Sequence, residues 1–181
     1  MLHSSIALVG MPGAGKSAVG KELGRRLHLG FTDSDVLIEQ RIGCSIREYF
    51  EREGEAAFRD LEEQVLAELG RSAGGVVATG GGIVIRPANR DCLKGAFRVI
   101  YLHASAEDLY RRLRHDTKRP LLQVSDPLGR LRELYAARDA LYREVAHAVV
   151  ETGRASVGAV VAGVQQALES APPAEGAATP L

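Results

Sequence analysis

Short apolar runs alternate with longer amphipathic stretches along this chain, and the alternation predicts its architecture. Five runs read as buried strands: Ile6 to Val9, Gly30 to Thr32, Gly75 to Thr79, Arg98 to Leu102 and Ala146 to Glu151. Each is short and apolar, most are rich in β-branched residues, and each borders a turn or polar signal. Between them apolar positions recur at helical spacing. Val19, Leu23 and Leu27 predict a helix over Ser17 to Leu27, and Phe58, Leu61, Val65, Leu66 and Leu69 predict one over Glu55 to Leu69. Leu109 and Leu113 mark Ala104 to Leu113, with Ser105 as the capping residue. Leu128, Leu131, Leu134, Tyr135 and Leu141 mark Pro127 to Arg143, and Val157, Val160, Val161 and Val164 mark Ser156 to Leu168. Such periodicities place one apolar face on each helix. Strands alternating with helices predict an α/β sandwich around a parallel sheet.

Two segments break the pattern. Residues from about 114 to 125 are polar and contain the Arg119-Pro120 break, which predicts a surface loop or lid. The stretch 170–181 is rich in proline and alanine without periodicity, and is expected to be a disordered tail behind one domain over 1–169.

Composition narrows the function classes. Lysine plus arginine balances aspartate plus glutamate at 23 each, so no global field points to nucleic acid or an anionic membrane. Only Lys16, Lys21, Lys94 and Lys118 are lysines. The arginine excess either suits forked contacts with carboxylate and phosphate or reflects codon usage. Cys44 and Cys92 give neither a disulfide framework nor metal-ligand spacing, which predicts a reducing compartment. No run approaches the ~20 apolar residues of a membrane helix. The first apolar run is four residues and carries no signal-peptide pattern, so a cytoplasmic location is expected.

The candidate chemistry begins at Gly10-Met11-Pro12-Gly13-Ala14-Gly15-Lys16-Ser17, which fits G-x-x-x-x-G-K-[ST] without mismatch between a strand and a helix. In such a loop successive backbone N–H groups point at phosphate oxygens, the lysine reaches the outer phosphates and the serine hydroxyl reaches Mg2+. The helix N-terminus adds a positive partial charge. The second strand ends in Thr32-Asp33-Ser34-Asp35, where Asp33 can face a metal's water shell and Asp35 an acceptor hydroxyl; helix capping competes as an explanation. Arg59 and Glu62 stand at i, i+3 within Phe58-Arg59-Asp60-Leu61-Glu62, a spacing equally typical of a plain surface ion pair. The third strand runs into Gly80-Gly81-Gly82, backbone that a ligand can approach closely. Lys118-Arg119-Pro120-Leu121-Leu122 lies in the predicted lid, and Arg138 on the long helix after it. A lid arginine can neutralise charge on a transferring phosphate, and Arg138 can fork onto a carboxylate.

Taken in order, the phosphate loop, Asp-Ser-Asp, Phe-Arg-Asp-Leu-Glu, Thr-Gly-Gly-Gly, Arg-Pro-Leu-Leu and the arginine before Leu141-Tyr142-Arg143 resemble the shikimate kinase family from about Ile6 to Leu168. The resemblance implies a three-layer P-loop kinase fold: a five-stranded parallel sheet in order 2-3-1-4-5 with a mobile lid. It implies transfer of the ATP γ-phosphate to the 3-hydroxyl of shikimate, with ATP and Mg2+ as cofactors. Gly13, Ala14, Gly15, Lys16, Ser17 and Ala18 are then expected around the nucleotide phosphates, with Ser17 on Mg2+ and Asp33 on its water shell. Asp35 would hold the acceptor hydroxyl. Arg59 and Arg138 would grip the carboxylate, Gly80, Gly81 and Gly82 would line the ring, Glu62 would hold Arg59, and Arg119 would arrive with the lid. Arg112 and Arg154 fall at the adenine end, where the family's proline is replaced by Ala155-Ser156-Val157. Other expectations are a small-molecule substrate, no nucleic-acid or membrane partner and a monomer. The alternatives are another small-molecule kinase of this fold, such as a gluconate or nucleoside-monophosphate kinase, and a non-catalytic ligand-binding regulator. The latter should have lost Lys16, an aspartate or the lid arginine, or carry an added domain.

Overall fold

The computed structural model describes residues 5–72, 74–116 and 123–170. Its centre is a five-stranded sheet in the order β2-β3-β1-β4-β5, every neighbouring pair parallel. The strands are β1 (Ser5–Val9), β2 (Gly30–Asp33), β3 (Gly75–Ala78), β4 (Phe97–His103) and β5 (Ala148–Glu151). The order is the one the resemblance implies. All five residues of β1 are buried, as its central position with cover on both faces requires.

The helices are α1 (Lys16–Leu27), α2 (Ser34–Ile42), α3 (Ile46–Glu53), α4 (Glu55–Arg71), α5 (Pro87–Ala96), α6 (Ala106–Leu113), α7 (Pro127–Val145) and α8 (Val157–Ser170). On one side α1 packs against α8, and on the other α4, α5 and α7 pack in succession. Ser105 caps α6 as expected, accepting a hydrogen bond from Asp108 N–H at 3.1 Å. Neither α3 nor α5 is predicted by the apolar periodicity, yet each carries a start signal. Ser45 and Glu48 form a reciprocal capping box on α3, and Pro87 opens α5. β5 begins two residues later than expected. His147 occupies the entry, donating its N–H to Val99 O at 2.8 Å and accepting Val99 N–H on Nδ1 at 3.0 Å.

The principal core gathers β1, β3 and β4 with the inner faces of α1, α5, α7 and α8. A smaller cluster of Ile38, Phe58 and Val65, joined by Ile46, Tyr49 and Phe50, ties α2, α3 and α4 together. That second cluster orients the face of α4 that carries Arg59. Among the described residues no helix is long and apolar enough to cross a membrane.

Candidate active site

β1 delivers the chain into the loop Gly10 to Ser17, and α1 starts directly behind it. Gly15, at φ 89°, occupies the capping position in the left-handed region and supplies no side-chain cap. The first amides of α1 therefore have no side-chain acceptor at the cap, an arrangement suited to an anion. Lys16 is buried, its Nζ donating to Gly10 O at 2.7 Å and Met11 O at 2.9 Å. Ala18 sits exposed in the first turn of α1.

Ser17 Oγ donates to Asp33 Oδ2, while Asp33 Oδ1 accepts from Asp35 N–H at 3.0 Å and Val36 N–H at 3.2 Å. Asp33 thus performs the capping role weighed from sequence, and it also reaches the phosphate-loop serine. A hydroxyl beside a carboxylate is an oxygen donor set of the kind Mg2+ prefers, with phosphates and water completing its shell. Among the described residues no group of three or more His, Cys, Asp or Glu makes an all-protein metal cage. The residues present fit Mg2+ carried in with a nucleotide.

Across the strand ends lies a second, more charged group. Gly80, Gly81 and Gly82 leave β3, and each stands opposite a different side chain. A Cβ on Gly80 would fall 2.7 Å from Asp35 Oδ1, and one on Gly82 would fall 2.5 Å from Arg59 Nη2. On Gly81 it would meet Pro12 Cδ at 3.0 Å and Arg138 Nη1 at 3.3 Å. Side chains at these three positions would fill the space that Asp35, Arg138 and Arg59 converge on. The triplet also brings Pro12 of the phosphate loop to the edge of this group.

The pairing Arg59–Glu62 is no surface ion pair. Arg59 Nη1 donates to Glu62 Oε1 at 2.8 Å, with Glu62 only 1% exposed. Arg59 also lies over the rings of Phe58 and Phe50, at 5.2 and 6.0 Å from their centroids. Burial raises the proton affinity of Glu62, opposed by the charges of Arg59 and then Arg138. Asp35 is lifted from the ordinary 3.8 to about 6, first by desolvation and then by the negative charges of Glu62 and Asp33, with Lys16 opposing. A partly buried carboxyl poised near 6 is ionised at neutral pH and retains appreciable basicity.

At the far end, Arg112 Nη1 donates to Gly13 O at 3.2 Å and its Nη2 to Gly153 O, so it spans the phosphate loop and the turn after β5. Arg154 follows in that turn, exposed and within electrostatic reach of Asp108. Lys118, Arg119 and Pro120 lie outside the described residues.

The structure therefore brings together Lys16, Ser17, Asp33, Asp35, Arg59, Glu62, Gly80, Gly81, Gly82 and Arg138, and sets Arg112 and Arg154 beside the loop's outer end. Sequence reasoning passed over Tyr142, whose Oη donates to Gly81 O at 2.5 Å; its position four residues after Arg138 was the available signal. A phosphate loop facing a carboxylate and two arginines, at the carboxyl edge of a parallel 2-3-1-4-5 sheet, defines a P-loop kinase of a small, anionic acceptor.

Comparisons with known proteins agree. The family model described as shikimate kinase matches residues 12–169. A shikimate kinase of Paracidovorax citrulli is 57% identical over 170 residues, covering 92% of this chain and 93% of that protein. A solved structure of shikimate kinase from Acinetobacter baumannii in complex with shikimate superposes with a TM-score of 0.88 at 42% identity, covering 93% and 94% of the two chains. A gluconokinase from Sinorhizobium meliloti shares the fold alone, with a TM-score of 0.60 at 20% identity over 93% of each chain. The chain belongs to the shikimate kinase family.

Proposed function

We propose that this chain transfers the γ-phosphoryl group of ATP to the 3-hydroxyl of shikimate, giving 3-phosphoshikimate and ADP. The observation that carries the reading is the convergence of Arg59, Arg138 and Asp35 on the glycine triplet. A substrate with one carboxylate and several hydroxyls is the complement of two guanidinium groups and a carboxylate. Arg59, held by Glu62, and Arg138 bind the carboxylate. Gly80, Gly81 and Gly82 let the ring approach their backbone, and Asp35 orients the acceptor hydroxyl and receives its proton. The oxygen–phosphorus bond to the acceptor forms as the bond to the ADP leaving oxygen breaks.

On the donor side, the amides of Gly13, Ala14, Gly15, Lys16, Ser17 and Ala18 hold the phosphates, and Lys16 exchanges its two loop carbonyls for phosphate oxygens. Ser17 Oγ holds Mg2+ and Asp33 its water shell; when bound, the ion neutralises charge on the phosphates. Arg112 and Arg154 hold the adenine end, and Arg119 joins from the lid. The reading includes one catalytic domain over 1–169, a monomer and a cytoplasmic location in the route to aromatic amino acids. A coupled ADP-release assay tests it, with shikimate, gluconate or nucleoside monophosphates as acceptor. Release should depend on shikimate; equal release with gluconate or a nucleoside monophosphate would contradict the reading.

A further inference from the structure

The glycine triplet has a structural question of its own: what fixes the orientation of peptides that have no side chains to anchor them. Gly80 O accepts Ile83 N–H at 3.1 Å, and Gly82 O accepts Ile85 N–H at 3.1 Å. These two bonds belong to the turn itself. Gly81 O is held from outside, by the hydroxyl of Tyr142 at 2.5 Å. All three carbonyl oxygens are thereby engaged. Among the described residues none of the three N–H groups has an intramolecular acceptor.

We propose that Tyr142 is a positioning residue for the acceptor carboxylate: its hydroxyl fixes the Gly81 peptide, keeping the triplet's N–H groups, rather than a carbonyl oxygen, facing the anion. A trans peptide carries its C=O and N–H on opposite sides, so drawing the Gly81 oxygen toward α7 directs the Gly82 N–H the other way. Glycine resists rotation less than any other residue, and a rotated peptide here would set an oxygen against a carboxylate. Tyr142 is itself well anchored. It is fully buried, and its ring packs on Tyr101 with centroids 5.0 Å apart. Tyr101 Oη donates to Asp139 Oδ1 at 2.8 Å, and Asp139 is also paired with Arg143, which fixes α7 against β4. Arg138 stands one turn before Tyr142 and beside Gly81, so one helix face places a guanidinium and orders the backbone next to it. Burial pushes the Tyr142 phenol up to about 12, so the hydroxyl remains a donor at any working pH.

The inference rests on shikimate as the acceptor, and its test separates the two. Wild-type turnover of shikimate tests the acceptor. Tyr142 is tested by the ratio of kcat/KM for shikimate to that for its carboxamide, in wild type and Tyr142→Phe. Tyr142→Phe keeps the ring but removes the hydroxyl from both Gly81 O and the Arg138 guanidinium. The preference for the carboxylate should therefore fall about five- to tenfold, mainly through KM, with KM for ATP unchanged, and the Gly81 carbonyl resonance assigns the effect to the peptide. Tyr101→Phe, which removes a neighbouring hydroxyl that does not touch Gly81, should leave the ratio intact. Equal losses on both acceptors, or the same fall in Tyr101→Phe, would overturn the proposal by reducing Tyr142 to packing. In the unsubstituted chain, the carbonyl 13C resonance of Gly81 should keep its hydrogen-bonded position when shikimate is added. Loss of that position on binding would equally overturn it.

Discussion

The two halves of this site are built from different materials. The phosphate loop is a contiguous stretch of eight residues whose main donors are backbone amides, and the charged groups at it already have partners: Lys16 on Gly10 O and Met11 O within the loop, and Asp33, from the end of β2, on Ser17 and the first amides of α2. The acceptor pocket is assembled from α2, α4, the turn after β3, and α7, so Asp35 and Arg138, about a hundred residues apart in sequence, reach neighbouring glycines of one turn. Its charges are buried and strained electrostatically, with Asp35 and Glu62 both pushed toward protonation. A backbone cradle suits any polyphosphate, whereas the acceptor pocket as proposed would select one carboxylate at one distance from one hydroxyl. On that proposal specificity resides in the half that sequence distance separates most widely, and substitutions there should divide acceptor effects from nucleotide effects.

The sharpest division is expected at Asp35. Asp35→Asn should lower kcat by about 10²- to 10⁴-fold, the usual reach of a positioned base, while ATP binding stays within about twofold. The same change should stabilise the fold. A carboxyl raised from 3.8 to about 6 contributes stability that is present below pH 4 and lost as pH rises through 6, which costs at most about 3 kcal/mol at neutral pH. The Tm of Asp35→Asn should exceed that of wild type at pH 7 and converge on it near pH 4. An active or destabilised Asp35→Asn enzyme would contradict this.

Arg59→Ala and Arg138→Ala should each weaken shikimate by roughly 2–5 kcal/mol, seen as a rise in its KM, because each leaves a desolvated carboxylate short of a partner. Glu62→Gln should act more mildly, raising the shikimate KM about tenfold through a loosened Arg59. It should also move the pH profile. If Asp35 receives the acceptor proton as proposed, the acid limb of kcat/KM should fall near 6 and shift to lower pH once the Glu62 charge is gone. An unmoved limb would show that Glu62 does not act on Asp35.

The smallest effect is expected far from both halves. His147 Nδ1 accepts Val99 N–H at 3.0 Å, and burial, then the charge of Arg98, lowers its proton affinity. Its contribution is therefore present above the ordinary value of 6.5 and lost as pH falls. His147→Ala should cost about 1 kcal/mol at pH 8 and little at pH 5, with shikimate and ATP turnover unchanged. A cost that persists at pH 5 would contradict the assignment.

This difference in construction also explains what the sequence made legible. The phosphate loop, the strand–helix alternation and the Gly80 to Gly82 run are local signals, readable from neighbours alone. Arg59–Glu62 was equally readable as a solvent-facing pair, because spacing does not reveal that Ile38, Phe58 and Val65 bury that face of α4. α3 escaped the periodicity argument because none of its eight residues is fully buried, although Ser45 and Glu48 announced its start. Tyr142 shared a helix face with Arg138 by spacing alone, but its own role stayed hidden because it depends on the carbonyl it meets sixty-one positions away.

Calorimetric titration of Arg138→Ala with shikimate and with MgATP, side by side with wild type, tests the separation of the two halves most directly. Shikimate should bind with a Kd at least about 30-fold weaker and ATP with a Kd within about twofold of wild type. Equal weakening of both ligands, or shikimate binding left intact, would contradict it.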